Sequence, residues 1–119
     1  KNIGGTVIDG ACRDIKAIVD LDYPVFSKYK YMKSGKNRTA IKGIQQKITI
    51  GPQTICPGDY IRGDASGVIV VPRLEVDRVI NLCYSLKEVE SQIIEAVIKG
   101  AKLKDARKKY NYNHFSYKD

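Results

Sequence analysis

A layered α/β or α+β domain is predicted by three features of this sequence. Short β-type runs punctuated by turn residues fill residues 3–71, a helix-type segment interrupts them near residue 15, and a long stretch from Val76 repeats apolar residues every three to four positions. One domain spanning residues 1–119 is expected, because 119 residues, 43% of them hydrophobic, suffice for one ordinary core.

The elements follow in order. Residues 3–9 read as a buried strand ended by Asp9-Gly10, and residues 10–13 as a loop. Asp14 is placed to cap a short helix whose Ile15, Ile18 and Val19 share one face. Tyr23-Pro24 breaks that helix, since the residue before proline is forced out of the α region, and an extended run then continues through Met32. Residues 33–38 are polar, basic and glycine-containing, as an exposed loop requires.

Further short strands are predicted at residues 47–50, 54–55, 60–62 and 68–71. The turns between them, Gly51-Pro52, Cys56-Pro57-Gly58-Asp59 and Asp64-Ala65-Ser66-Gly67, are close enough together to imply hairpins. Val76, Val79, Ile80, Cys83, Leu86, Ile93 and Val97 then mark one long amphipathic helix ending at Gly100. Residues 102–109 form a further basic helix, and residues 101–119 as a whole a basic, tyrosine-rich tail.

Charge and cysteine content narrow the function classes. Twenty-one basic against 13 acidic residues give a net charge of +8, which favours anionic partners without choosing among nucleic acid, membrane and small carboxylates. Cys12, Cys56 and Cys83 are odd in number and form no C-x-x-C pair, so a reducing compartment is the simplest setting. No run approaches the ~18 apolar residues of a membrane span. The start, Lys1-Asn2-Ile3-Gly4-Gly5, lacks the apolar core of a secretory signal, and the expectation is a cytoplasmic protein. The chain opens without a methionine just ahead of a strand, which reads as a sequence cut upstream.

The sharpest chemical feature is Gly10-Ala11-Cys12-Arg13-Asp14, at a predicted strand-to-helix junction where α/β folds favour ligands. Arg13 can grip a carboxylate through two parallel hydrogen bonds. Asp14 can give an oxygen to a hard cation such as Mg²⁺, which keeps several waters and needs few protein ligands. The plain alternative is a capping Asp14 beside a surface Arg13, and the pentapeptide alone favours it.

Three segments widen the signal: residues 5–14 (GTVIDGACRD), residues 23–26 (YPVF) and residues 57–72 (PGDYIRGDASGVIVVP). Together they resemble successive landmarks of the RraA-like family, which includes 4-hydroxy-4-methyl-2-oxoglutarate aldolases, and the similarity runs from residue 4 to about residue 100. The resemblance implies a swivelling β/β/α fold without its N-terminal portion, assembly as a homotrimer or hexamer, and cleavage of keto acids to pyruvate with Mg²⁺ or Mn²⁺. Oxaloacetate decarboxylation is implied as a companion activity, since both reactions pass through an enolate that a divalent cation stabilises. Arg13 matches the arginine that binds the pyruvyl carboxylate, and Asp14 the metal-binding aspartate.

Family aldolases also carry an upstream aspartate and a glycine-containing loop that this chain would place before residue 1. Either a longer chain or a separate one is therefore expected to complete the site, and residues 1–119 alone are expected to be inactive. An acidic residue from a neighbouring subunit's C-terminal region completes the family site. Glu90 or Glu88 on the long helix is the nearest match, against the plain reading of a solvated helix face. The family's regulatory branch, which inhibits a ribonuclease by protein contact without catalysis, is the alternative to an aldolase.

Other features are assigned to structure. Cys12 beside Arg13 has no partnered base, since the single histidine, His114, lies in the tail. The alternation Lys28-Tyr29-Lys30-Tyr31-Met32-Lys33 suits a half-exposed strand with tyrosines on one face and lysines on the other better than a single-strand nucleic-acid surface. The basic run at 102–109 reads as a solvated helix face. Asp59 and Asp64 adjoin turn glycines and are expected to bond their own backbone. No G-x-G-x-x-G loop follows a strand, so the family's older label as a menaquinone methyltransferase has no support.

Overall fold

The computed structural model of the protein describes residues 3–114; the remainder of the tyrosine-rich tail lies outside the described residues. It is a mixed α/β structure of small sheets and one long C-terminal helix, and it packs as two compact units, Lys1–Arg73 and Leu74–Asp119.

The first unit opens with a parallel βαβ arrangement: β1 (Thr6–Cys12), α1 (Ile15–Asp20) and β2 (Val25–Lys30). Parallel neighbours need a crossover, which residues 13–24 supply through α1. The sequence places the first strand at 3–9 with a loop at 10–13; the strand in fact runs on to Cys12. The reason is a β-bulge. Ile8 pairs with Ser27 and Ala11 with Tyr29, so the two residues Asp9 and Gly10 face the single residue Lys28. Asp9-Gly10 therefore kinks the strand instead of ending it. Half-buried and exposed residues alternate along β1, as a one-sided strand requires, so the expected fully buried strand is also corrected.

The second strand stops at Lys30, two residues short of the expected end, although the Tyr31 amide still donates to the Cys12 carbonyl at 3.0 Å. Tyr29 and Tyr31 are 68% and 59% exposed, so the lysine–tyrosine alternation buries no tyrosine face here.

Two antiparallel hairpins follow. β3 (Ile48–Ile50) pairs with β4 (Gln53–Ile55) across Gly51-Pro52, and β5 (Tyr60–Asp64) pairs with β6 (Gly67–Val71) across Ala65-Ser66. The turn at Cys56–Asp59 makes no hairpin, because β4 and β5 belong to different sheets. Asp59 ties it down: one carboxylate oxygen accepts from the Cys56 amide at 2.8 Å and the other from the Arg73 amide at 3.1 Å. Asp64 accepts from the Ser66 amide at 2.8 Å. Both aspartates thus have the backbone-bonding role expected of them.

Inside this unit the Phe26 ring of β2 packs over Gly63 of β5. A Cβ at position 63 would fall 2.5 to 3.0 Å from three ring carbons, so any larger residue there would have to displace the ring.

The second unit is helical. After a 3-10 turn at Arg73–Glu75, α2 (Val76–Ile98) runs for 23 residues, then α3 (Leu103–Lys109) and a 3-10 turn at Tyr112–His114 fold against it. The long helix stops where the sequence predicts. Gly100 takes φ +96°, the Ala101 amide donates to the Ala96 carbonyl at 3.0 Å and the Gly100 amide to Val97 at 3.0 Å, which is a Schellman motif. Among the described residues the buried apolar side chains are Ile93 of α2, 6% exposed, and Ala106 of α3, 2% exposed. No described helix is long and apolar enough to cross a membrane.

Candidate active site at the end of the first strand

The C-terminal end of β1 delivers Cys12, Arg13 and Asp14 in succession. Asp14 has φ 59° and ψ 35°, a left-handed conformation that aspartate tolerates better than most residues. Asp14 occupies the N-cap position as expected, but in that conformation its side chain makes no capping hydrogen bond among the described residues, which corrects the expected side-chain cap. The backbone performs the local task, because the Asp14 carbonyl accepts from the Ile18 amide at 3.1 Å. The carboxylate is left free to turn toward its neighbour. Oδ2 lies 3.2 Å from Nε of Arg13, and the two side chains are 68% and 52% exposed.

Arg13 and Asp14 are therefore together, on the surface, with opposite charges adjoining. An exposed pair of this kind is worth about 0–1 kcal/mol. An incoming carboxylate and a cation can replace it at little cost.

The residues on either side of the pair, Cys12 and Ile15, line a groove of about 600 Å³ shared with Ile18, Phe26, Lys28 and Lys30. Arg13 and Asp14 stand outside that lining. Cys12 is half-buried, with Sγ 3.1 Å from Oγ of Ser27.

Sequence reasoning missed two partnerships. Asp9 forms an ion pair with Lys28 across the bulge, and that carboxylate raises the Lys28 pKa above 10.5, first through the hydrogen bond and then through its charge. The signal that could have found it is Gly10, since a glycine inside a strand pattern marks a bulge.

The second missed partnership involves Glu90, which lies in the helical unit. Its Oε1 accepts from the Tyr112 hydroxyl at 3.0 Å, and this bond, followed by the Glu90 charge, raises the Tyr112 pKa above 10.0. Glu88 is exposed, with no ion pair or side-chain hydrogen bond among the described residues.

No group of three His, Cys, Asp or Glu side chains gathers among the described residues. Asp14 alone offers a carboxylate beside Arg13. One such ligand fits a hard, strongly hydrated cation, which needs only one or two protein carboxylates.

The parallel βαβ arrangement, with Arg13 and Asp14 following the carboxyl end of its first strand, defines an α/β protein and puts the pair where such folds commonly bind ligands. The chain belongs to the RraA-like family, whose Aldolase/RraA family model matches residues 1–70. It is 40% identical over 111 residues to Protein DlpA of Legionella pneumophila, covering 93% of this chain and 18% of that protein. It is 41% identical over 78 residues to a Halalkalibacterium halodurans protein named "Putative 4-hydroxy-4-methyl-2-oxoglutarate aldolase", covering 66% of this chain and 37% of that protein. A crystal structure from Pseudomonas syringae pv. tomato superposes with a TM-score of 0.84 at 42% identity, over 88% of this chain and 52% of that one. The chain thus spans about half of that solved structure and 18% to 37% of those two curated relatives.

Proposed function

We propose that the intact protein is a divalent-metal-dependent lyase that cleaves short oxo-dicarboxylates, 4-hydroxy-4-methyl-2-oxoglutarate or oxaloacetate, to pyruvate. The observation that carries this reading is the Arg13–Asp14 pair: a carboxylate not engaged in capping the helix, held 3.2 Å from a guanidinium and open to solvent. Family membership and a relative named for the aldolase activity support it.

In this reading Arg13 leaves Asp14 to take the C1 carboxylate of the keto acid in a two-pronged grip, which fixes the plane of the neighbouring carbonyl. Asp14 would hold Mg²⁺ or Mn²⁺, which when bound would supply Lewis acidity to stabilise negative charge developing on the keto oxygen. Glu90, from a neighbouring subunit of a trimer or hexamer, takes the C4 hydroxyl proton during aldol cleavage. The O–H electrons become the new C=O bond, the C3–C4 bond breaks, and its pair moves into the enolate of pyruvate. Oxaloacetate loses CO₂ to reach the same enolate with no hydroxyl proton to remove, and C3 of the enolate then takes a proton, from the protonated Glu90 after aldol cleavage or from water after decarboxylation, to give pyruvate.

The test is pyruvate release from oxaloacetate by the intact protein with Mg²⁺. Asp14→Ala is expected to abolish release while the assembly stays folded. Equal rates in mutant and parent reject the metal role, whereas a parent that releases no pyruvate above the rate with Mg²⁺ alone favours the non-catalytic, ribonuclease-regulating alternative.

A further inference from the structure

In the helical unit a linked set of side chains adjoins Glu90. The Tyr112 hydroxyl donates to Glu90 Oε1 across a sequence separation of 22 residues. The Tyr112 ring is held in turn by Arg107, whose guanidinium carbon sits 4.7 Å from the ring centroid, a cation–π distance. Arg107 is itself anchored: Nη2 donates to Asn113 Oδ1 at 2.9 Å, while Nε is sealed from solvent with no hydrogen-bond partner among the described residues. Glu90, Tyr112 and Arg107 share a hollow of about 230 Å³ with Ile93, Ile94 and Leu103. The buried Ile93 and Ala106 lie on the two helices that form it.

This arrangement does more than a solvated glutamate needs. A glutamate on an open helix face samples many rotamers, and fixing it costs side-chain entropy. Tyrosine is a stiff arm with two rotatable bonds, and here its ring is clamped by a cation that is also pinned. A hydroxyl so placed selects one set of Glu90 rotamers before any ligand arrives.

We infer that Tyr112 is a positioning residue for Glu90, with Arg107 holding the Tyr112 ring, so that the C-terminal segment presets the proton acceptor that α2 offers to a neighbouring site. The inference rests on the proposed proton-accepting role of Glu90.

The two reactions proposed for the intact protein separate this role from a structural one, because only aldol cleavage requires loss of a hydroxyl proton. The experiment compares Tyr112→Phe, Glu90→Gln and parent in both assays with Mg²⁺, using 4-hydroxy-4-methyl-2-oxoglutarate and oxaloacetate. Tyr112→Phe keeps the ring under Arg107 and removes only the hydroxyl. It is expected to lower kcat for aldol cleavage roughly tenfold, the scale of one hydrogen bond to a charged group, with KM unchanged. Oxaloacetate decarboxylation, helicity and assembly are expected to stay at the parental level. A fall in both reactions by the same factor makes the contact structural and overturns the inference. A slow Glu90→Gln with a normal Tyr112→Phe overturns the positioning role alone, whereas a normal Glu90→Gln overturns it together with the role of Glu90.

Discussion

Nε of Arg13 stands 3.2 Å from Oδ2 of Asp14, two consecutive residues whose side chains meet because Asp14 adopts the left-handed conformation. Consecutive residues in an extended strand send their side chains to opposite faces. The change of backbone at position 14 is what brings guanidinium and carboxylate to one place.

The conformation and the carboxylate of Asp14 can be separated by substitution. Alanine in a left-handed position costs about 1–2 kcal/mol, whereas asparagine and glycine tolerate it. Denaturant unfolding of the intact protein is therefore expected to rank Gly, Asn and Asp at position 14 together and Ala about 1 kcal/mol below. All three substitutions are expected to lose metal-dependent pyruvate release. An active Asp14→Gly protein would leave the residue with a backbone role only.

Arg13→Lys retains the charge but loses the planar fork that accepts both oxygens of a carboxylate. Losing one charge-assisted hydrogen bond of about 1.5–3 kcal/mol corresponds to a rise in KM for oxaloacetate of roughly 10- to 150-fold. Steady-state kinetics on the intact protein check this. A KM within twofold of the parent contradicts the carboxylate grip.

The order of strand, helix and strand, the hairpins at 51–52 and 65–66, and the glycine stop of the long helix were legible because each depends on local chemistry. Proline, glycine and apolar period act within a few residues. Gly10 marks a bulge, but the register that sets it opposite Lys28 was not legible, since that pairing arises only when β1 and β2 meet. The position of Asp14 was readable and its conformation was not, because an aspartate before a helix satisfies the rule for a cap equally well. Tyr112 lies 22 residues from Glu90, with no periodic signal linking them, so only folded geometry joins the pair.

The Asp9–Lys28 pair makes stability depend on alkaline pH. The folded pKa of Lys28 is raised above 10.5, so its contribution is full below that value and disappears as pH rises through the folded pKa. Asp9→Asn removes the partner. The gap in urea midpoint between parent and Asp9→Asn is expected to be widest near neutrality and to close as pH rises through the raised folded pKa of Lys28. A gap that is unchanged at alkaline pH would show that Asp9 acts through something other than the lysine charge.

The end of α2 offers the cleanest test of backbone geometry, because one glycine serves two carbonyls. Gly100 holds φ +96° while its own amide and that of Ala101 satisfy Val97 and Ala96, and a Cβ there would meet no heavy atom within 4 Å. Any cost of Gly100→Ala therefore comes from the left-handed backbone and not from a clash. That cost is about 1 kcal/mol or more. Gly4→Ala is the control, since its Cβ is equally unobstructed and its φ lies outside the left-handed region. Urea unfolding of the intact protein is expected to show a lower midpoint for Gly100→Ala and no loss for Gly4→Ala. Equal midpoints would mean that the helix ends by another device and that the turn into α3 does not depend on this residue.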